Sequence, residues 1–182
     1  ISSKKKFQFD GNRYQNRHQV EKYNDFINEN LNTHFHSGRL IVHPSLKQTN
    51  NNSKPILGIN PGGSYGNSKR WYPQKFAQVA TELSHKFDIL IFGGLNEKNI
   101  ATDIEKLLIE NNVLNYQNLA GNTTTSELIN QISNLDLFIT GDSGPMHLAA
   151  SFKVPTVAIF GPTRDDETSQ WMNDKSIIVK KN

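Results

Sequence analysis

The 182-residue sequence contains no cysteine, and only 35% of its residues are hydrophobic. The lack of cysteine excludes disulfide cross-links and thiolate metal sites within the chain. No run approaches the roughly 18 apolar residues that a membrane-spanning helix needs. We therefore expect one ordinary domain, or one lobe with an appendage, that is large enough to bury a core.

The chain also lacks an initiator methionine and begins with Ile1-Ser2-Ser3. This start has no succession of charged, apolar and small residues, so no secretion signal is predicted. We expect a piece of a longer protein.

Acidic residues are scarce in the first part of the chain. Residues 1–54 hold 9 Lys/Arg against 4 Asp/Glu, whereas residues 55–182 hold 11 against 13. The run Lys4-Lys5-Lys6, with Arg13 and Arg17, could contact the phosphates of a nucleic acid or of anionic lipid headgroups. A solvated linker is the simpler interpretation.

A polar run, Asn50-Asn51-Asn52-Ser53, has no apolar periodicity and is typical of an exposed loop. Before it, apolar residues recur at helical spacing over residues 16–31, and residues 40–42 form a short strand at best. We predict a linker segment with an amphipathic helix at 1–54 and a main domain at 55–182. The apolar face of that helix comprises Val20, Tyr23, Phe26, Ile27 and Leu31.

From Pro55 onward, short apolar runs alternate with helix-length amphipathic stretches. This alternation predicts a doubly wound, Rossmann-like α/β domain, in which a parallel sheet carries helices on both faces. The predicted strands are Ile56–Ile59, Ile89–Phe92, Tyr116–Leu119, Leu137–Thr140, Thr156–Phe160 and Ile177–Val179. The predicted helices are 73–86, 97–111, 125–133, 145–152 and 164–173.

Nine of the 12 glycines follow a predicted strand. In an open parallel sheet, ligands bind beyond the carboxyl ends of the strands, and glycine lets backbone N–H groups approach a phosphate. Glycines that merely end strands explain single positions but not this clustering, so one edge of the domain is predicted to bind a phosphorylated ligand. These glycines are Gly62, Gly63, Gly66, Gly93, Gly94, Gly121, Gly141, Gly144 and Gly161.

The sharpest site prediction falls on residues 141–150, where a strand meets a helix. Asp142 or Ser143 can cap this helix, and Pro145 suits its first turn. The unpaired N–H groups and the dipole of the helix attract a diphosphate, and His147, one turn in, can add a donor. The alternative for His147 is a structural histidine.

The loop at residues 60–71 is the second candidate site. Ser64 and Lys69 could reach the terminal phosphate of a nucleotide sugar, although the Walker and dinucleotide fingerprints are both absent. We interpret Arg70 and Trp71 as structural, a surface ion pair and a core anchor.

Two acidic positions have alternative interpretations. Glu97 either accepts ribose hydroxyls or complements a helix dipole. The run Asp165-Asp166-Glu167 suggests a metal site, but Thr163 with Asp166 forms a capping-box-like helix start, which we favour. No metal site is predicted.

At these residues the sequence resembles the ADP-heptose:lipopolysaccharide heptosyltransferases. The resemblance covers roughly residues 55–165 and is carried by residues 141–150, followed by Pro155 and Gly161-Pro162-Thr163. The loop at 61–71 is most similar to the branch that adds the second heptose of the inner core. The segments 92–97 and 118–123 match in kind and order.

The resemblance implies an enzyme of two Rossmann-like lobes, of which this chain matches the second. That lobe would bind ADP-heptose for an inverting transfer to the lipopolysaccharide inner core of a Gram-negative bacterium, without a metal and without a nucleic-acid partner. A cytoplasmic location and peripheral contact with the inner membrane are the corresponding expectations. The implied donor-binding residues are Gly62, Gly63, Ser64, Lys69, Glu97, Gly141, Asp142, Ser143, Gly144 and His147.

The resemblance also assigns roles within this set. Lys69 would stabilise the leaving diphosphate, and Glu97 would hold the adenosine ribose. The general base of the family is an aspartate of the acceptor lobe, which has no counterpart here, so this lobe alone is expected to be inactive. Two alternatives stay open: a lobe of the same fold for a UDP- or GDP-sugar, and a non-catalytic nucleotide-binding module or basic-arm nucleic-acid binder.

Overall fold

The computed structural model describes residues 6–44, 54–62 and 71–180. Within them, six strands form one sheet in the order β3-β2-β1-β4-β5-β6, and every neighbouring pair is parallel. This is the doubly wound order of a Rossmann fold, so the predicted fold class is confirmed. The strands are β1 (Ile56–Asn60), β2 (Asp88–Ile91), β3 (Tyr116–Asn118), β4 (Leu137–Gly141), β5 (Thr156–Phe160) and β6 (Ser176–Lys180).

The predicted helices are confirmed in number and order, but the short strand considered at residues 40–42 does not form. Short 3₁₀ turns occur at Gly11–Tyr14 and Leu95–Glu97. In the described part of the chain, no helix has the length and apolarity to cross a membrane. The α-helices are α1 (Gln19–Leu31), α2 (Pro73–Leu83), α3 (Lys98–Glu110), α4 (Thr125–Ser133), α5 (Gly144–Ser151) and α6 (Asp165–Thr168).

The sheet lies between two layers of helices. Successive residues of a strand point to opposite faces, so each strand can pack against both layers. Leu57 and Ile59 of β1 are buried in the core cluster that α2 and α3 complete. Ile56 belongs to a second cluster, which includes Ile132 of α4 and Ala149 of α5. Both faces of β1 are therefore buried, and β1 reads as a continuous apolar run.

Gly58, in the middle of β1, is required by this packing. A Cβ at this position would lie 2.5 Å from Cδ1 of Leu135 and 2.8 Å from Cδ2 of Phe138. Phe138 is fully buried and has little room to move. The absence of a side chain at Gly58 therefore lets β1 lie close to the layer beneath it.

Polar side chains close the amino edge of the sheet. The Asp136 carboxylate accepts the Ile56 backbone N–H at 2.8 Å. The Asn115 amide donates to the carbonyls of Ser84 at 2.9 Å and Phe87 at 2.7 Å. These bonds satisfy backbone groups that would otherwise be left without partners where β1 and β2 begin.

Residues 6–44 pack against the chain that follows α6. His18 is the N-cap of α1, where its Nδ1 accepts a backbone N–H and its Nε2 donates to the Ser169 carbonyl at 3.0 Å. The His18 ring also lies 4.6 Å from the Trp171 ring, centroid to centroid. The first segment is thus anchored to the main domain at the start of α1.

Lys22 is the buried residue of α1, and the predicted apolar face is not. Lys22 is 4% exposed, and its Nζ lies 2.6 Å from the Glu167 carboxylate. Tyr23, Ile27 and Leu31, by contrast, are half or more exposed. The apolar periodicity correctly predicted a helix here but did not identify the face that contacts the main domain.

The helix predicted at residues 164–173 is wrong in length, because α6 ends at Thr168. Ser169 is already extended, and its carbonyl accepts the hydrogen bond from His18. Trp171 donates its Nε1–H to the Gly38 carbonyl at 2.9 Å. These contacts with the first segment fix residues 169–171 in a non-helical conformation.

The acidic run 165–167 forms ion pairs with Lys180, Arg164 and Lys22. The predicted capping role of Thr163 is wrong, because the N-cap position of α6 is Arg164 and no side chain caps it. Across the described ranges, no group of three or more His, Asp or Glu side chains could hold a metal ion. Salt bridges account for this acidic run.

Candidate functional site

A cleft of about 390 Å³ opens at the carboxyl edge of the sheet, beside the junction of β1 and β4. This is where the strand order reverses, and the connections on its two sides run to opposite faces of the sheet, which leaves a crevice. The predicted ligand-binding edge therefore coincides with a cleft. Its lining residues are Asn60, Gly62, Phe92, Gly93, Gly94, Leu95, Glu97, Gly121, Thr123, Thr124, Thr125, Leu128, Ser143, Gly144 and Pro145.

The predicted site residues fall into three groups. The residues that line the cleft are Gly62, Glu97, Ser143 and Gly144. The residues that lie where β4 meets α5, but not in the lining, are Gly141, Asp142 and His147. The residues that lie outside the described part of the chain are Gly63, Ser64 and Lys69.

The N-terminus of α5 faces the cleft. Ser143 occupies the N-cap position with extended backbone angles, as one of the two predicted candidates, but its side chain makes no capping hydrogen bond. A Cβ added at Gly144 would have no heavy atom of the described residues within 4 Å. Pro145 follows in the first turn, where its missing N–H costs no helical hydrogen bond. The Ser143 side chain therefore does not cap α5, and the first turn of this helix lines the cleft.

Glu97 lies across the cleft from this helix end. One carboxylate oxygen accepts the Gly94 N–H at 2.6 Å and thereby closes the 3₁₀ turn after β2. The same carboxylate lies against Gly62, where an added Cβ would be 2.2 Å from its Cδ. Glu97 thus closes the turn after β2 and lines the cleft, and its predicted role towards ribose hydroxyls stays a prediction.

Two parts of the lining were missed by sequence reasoning. Asn60, the last residue of β1, is buried and bonds to side chains at the end of β4. The run 123–125 forms the N-terminus of α4, where Thr124 and Glu127 cap each other reciprocally. The Thr124 to Glu127 spacing is a capping-box signal, so sequence reasoning could have located this helix start.

His147 is half-buried one turn inside α5. Burial lowers the pKa of its imidazole from the usual 6.5, while the nearby Asp142 carboxylate raises this pKa in part and His18 lowers it further. The imidazole is therefore neutral at pH 7, so it can donate one hydrogen bond and accept another.

Replacing Asp142 with asparagine should lower the His147 pKa further, because it removes the charge that stabilises the imidazolium. Titration of the His147 ring protons by NMR measures this shift, and an increase in the pKa would contradict the assignment.

The depressed pKa of His147 also has a consequence for stability. The unfolded chain binds the proton more readily than the folded one, so the free energy of unfolding should fall as the pH drops from about 6.5 towards the folded-state pKa.

Comparison with known proteins adds independent information. The model of glycosyltransferase family 9 (heptosyltransferase) matches residues 4–182. Lipooligosaccharide heptosyltransferase 2 of Campylobacter jejuni is 45% identical over 98% of this chain, an alignment that covers 57% of that protein. The chain thus spans little more than half the length of this relative.

Two solved structures share the fold. The ADP-heptose lipopolysaccharide heptosyltransferase II of Escherichia coli superposes with a TM-score of 0.65 at 30% identity, covering 69% of this chain and 38% of that one. A glycosyltransferase of family 9 from Veillonella parvula gives a TM-score of 0.78 at 21% identity, covering 96% of this chain and 51% of that one. With the family match across nearly its whole length, the chain belongs to glycosyltransferase family 9, the heptosyltransferase family.

Proposed function

We propose that this chain is the nucleotide-sugar-binding lobe of an inverting heptosyltransferase that transfers heptose from ADP-heptose to the lipopolysaccharide inner core. The observation that carries the proposal is the cleft beside β1 and β4, bounded by the N-terminus of α5, which the Ser143 side chain does not cap, and by Glu97. Family membership and the relatives named heptosyltransferase 2 or II support the sugar and the acceptor.

The cleft suggests how ADP-heptose would lie. The diphosphate would meet the first turn of α5, where backbone N–H groups and the helix dipole favour an anion. The ribose would lie beside the Glu97 carboxylate, with the base against Leu95 and Leu128, which supply apolar surface to the lining. The negative diphosphate would thus face the positive end of the α5 dipole.

The reaction needs charge stabilisation from this lobe. When an acceptor hydroxyl attacks the anomeric carbon, the bond to the diphosphate breaks and negative charge builds on the departing ADP. The dipole of α5 would stabilise this charge, and Lys69, placed by the resemblance, would add a cation. The base that takes the acceptor proton would come from a separate acceptor lobe, so we expect no transfer by this chain alone.

The remaining expectations belong to the same proposal. The main domain at 55–182 would bind the donor, and the enzyme would act in the cytoplasm, at the inner membrane that holds its lipid acceptor. Of the cations considered for a nucleic acid, Arg13 pairs with Glu29 and Arg17 with Asp25, which makes a nucleic-acid partner the weaker alternative.

Calorimetric titration of the chain with ADP, UDP and GDP, with magnesium and with EDTA, tests the proposal. We expect selective binding of ADP that is the same in both buffers. Preference for UDP or GDP would overturn the donor assignment, and loss of binding in EDTA would overturn metal independence. Failure to bind any of the three would overturn nucleotide binding by this lobe.

A Lys69→Ala variant tests the position of the diphosphate. Loss of the cation should weaken ADP binding by about tenfold or more, since charge-assisted hydrogen bonds contribute about 1.5–3 kcal/mol each. AMP, which lacks the β-phosphate, should bind both proteins equally well. The matched control is Lys106→Ala, at an exposed lysine of α3. Unchanged ADP affinity in Lys69→Ala would remove this residue from the site.

A further inference from the structure

Three glycines lie against the side chain of Glu97 where it borders the cleft. Gly62 follows β1, and Gly93 and Gly94 follow β2. These two strands are parallel neighbours in the sheet, so their carboxyl ends meet at the same edge. The pairing of β1 with β2 therefore brings Gly62 next to Glu97, although the two residues are far apart in the sequence.

The contact is tightest at Gly62, which is buried. A Cβ added there would lie 2.2 Å from Cδ of Glu97, 2.3 Å from Oε1 and 2.5 Å from Oε2. A methyl group would thus overlap with all three atoms of the carboxylate, since non-bonded carbon atoms pack at about 3.5–4.0 Å. At Gly93, an added Cβ would be 3.2 Å from Cβ of Glu97, and at Gly94 it would be 3.4 Å from Oε2. The Glu97 carboxylate therefore occupies the space that a side chain at position 62 would need.

The two oxygens of this carboxylate are bonded differently. Oε2 accepts the Gly94 N–H at 2.6 Å, whereas Oε1 has no hydrogen-bond partner among the described residues. An ionised carboxylate can accept several hydrogen bonds, so it has capacity for a ligand hydroxyl beside the one from Gly94. Its position is set by the bond to Gly94 and by the missing side chain at Gly62.

We propose that Gly62 is a positioning residue for nucleotide binding: because it has no side chain, the Glu97 carboxylate has room to lie at the border of the cleft. The inference rests on the proposed function and deepens it, since this glycine then acts through Glu97 and not by letting a backbone N–H approach a phosphate. The carboxylate ends a flexible side chain, so a methyl group at position 62 would displace it at little cost in stability. The cleft would lose an acceptor while the fold stays intact.

The first test uses the ligand-free chain. In Gly62→Ala, the displaced carboxylate should lose its bond to the Gly94 N–H. The Gly94 amide proton should then move upfield in the NMR spectrum, towards its position in Glu97→Ala, because a charge-assisted hydrogen bond is strong and deshields the proton. Gly38→Ala is the matched control, since an added Cβ there meets no heavy atom of the described residues within 4 Å. A Gly62→Ala variant that is unfolded by circular dichroism, or folded with an unchanged Gly94 resonance, would overturn the inference.

The second test is a double-mutant cycle on ADP affinity. Gly62→Ala should weaken ADP binding by about tenfold or more, the equivalent of one charge-assisted hydrogen bond to the ribose. Pyrophosphate, which has no ribose, should bind the variant and the wild type within about twofold. In a Glu97→Ala background, where no carboxylate has to move, Gly62→Ala should alter ADP affinity by less than about twofold. An equal loss in both backgrounds would mean that the methyl group obstructs the ligand directly, which would contradict the proposal.

A shorter carboxylate provides the rescue experiment. Glu97→Asp withdraws the carboxyl carbon by about 1.5 Å, one bond length, and so relieves most of the overlap with a methyl group at position 62. On its own this change should weaken ADP binding, but in the Gly62→Ala background it should restore part of the lost affinity. Failure of aspartate to restore any affinity would contradict a role of Gly62 through Glu97. If the wild-type chain binds no ADP, the proposed function fails, and the Gly94 resonance still decides whether Gly62 positions the carboxylate.

Discussion

Replacing Glu97 with alanine should lower the affinity for ADP by about 100-fold. A carboxylate that accepts hydrogen bonds from ribose hydroxyls contributes about 1.5–3 kcal/mol for each. The loss of two such bonds costs about 3 kcal/mol or more, and because each 1.36 kcal/mol is a tenfold change, this corresponds to about 100-fold. Part of the effect comes from the turn, because the Gly94 N–H loses its acceptor. Calorimetric titration of both proteins with ADP measures the change.

Pyrophosphate distinguishes the role of Glu97 from general damage to the cleft. It has no ribose, so its affinity should be the same in the wild type and in Glu97→Ala. Glu97→Gln keeps an oxygen that can accept the Gly94 N–H but removes the charge, and it should fall between the two proteins in ADP affinity. An equal loss of ADP and pyrophosphate in Glu97→Ala would show that the residue shapes the diphosphate site instead.

The Glu167→Ala variant should lose about 3 kcal/mol of the free energy of unfolding. The change removes the carboxylate 2.6 Å from Nζ of Lys22 and leaves the lysine charge buried and without this partner. Breaking a buried ion pair in this way typically costs about 3–5 kcal/mol, because the remaining ion has lost its hydration as well. Urea denaturation followed by circular dichroism gives the difference directly.

Two further variants define the cause of that loss. Asp103→Ala breaks an exposed pair with Lys106 on α3, and its cost should stay below about 1 kcal/mol. Replacing both partners, as Lys22→Met with Glu167→Leu, should restore most of the stability, since apolar side chains often replace a buried ion pair without loss of stability. If Glu167→Ala is no less stable than Asp103→Ala, the buried pair does not anchor α1.

The strands and the ligand-binding edge could be predicted because their signals are local. A strand buried on both faces is a short apolar run, and the glycines lie in the turns that follow. The length of α6 could not be predicted, since Ser169 and Trp171 leave the helix through bonds to His18 and Gly38, far away in the sequence. The burial of Lys22 has the same origin: its partner is 145 residues away.

The candidate site shows the same division. The α5 start and the Glu97 turn have local signatures, namely capping residues, proline and glycine. The hydrogen bonds of Asn60 have no such signature, because its partners Thr140 and Ser143 lie 80 and 83 residues further along the chain. Only the pairing of β1 with β4 brings these three together. The sequence pattern therefore located the cleft but not the bonds that shape its floor.

Because all six strands point the same way, the chain has one edge for ligand contact and an opposite edge closed by Asp136 and Asn115. Leu114, at that closed edge, is 84% exposed. Since the chain contains no native thiol, a cysteine introduced at Leu114 would be the single attachment point for a fluorophore or a solid support. The protein can therefore be labelled or immobilised with its cleft facing the solution.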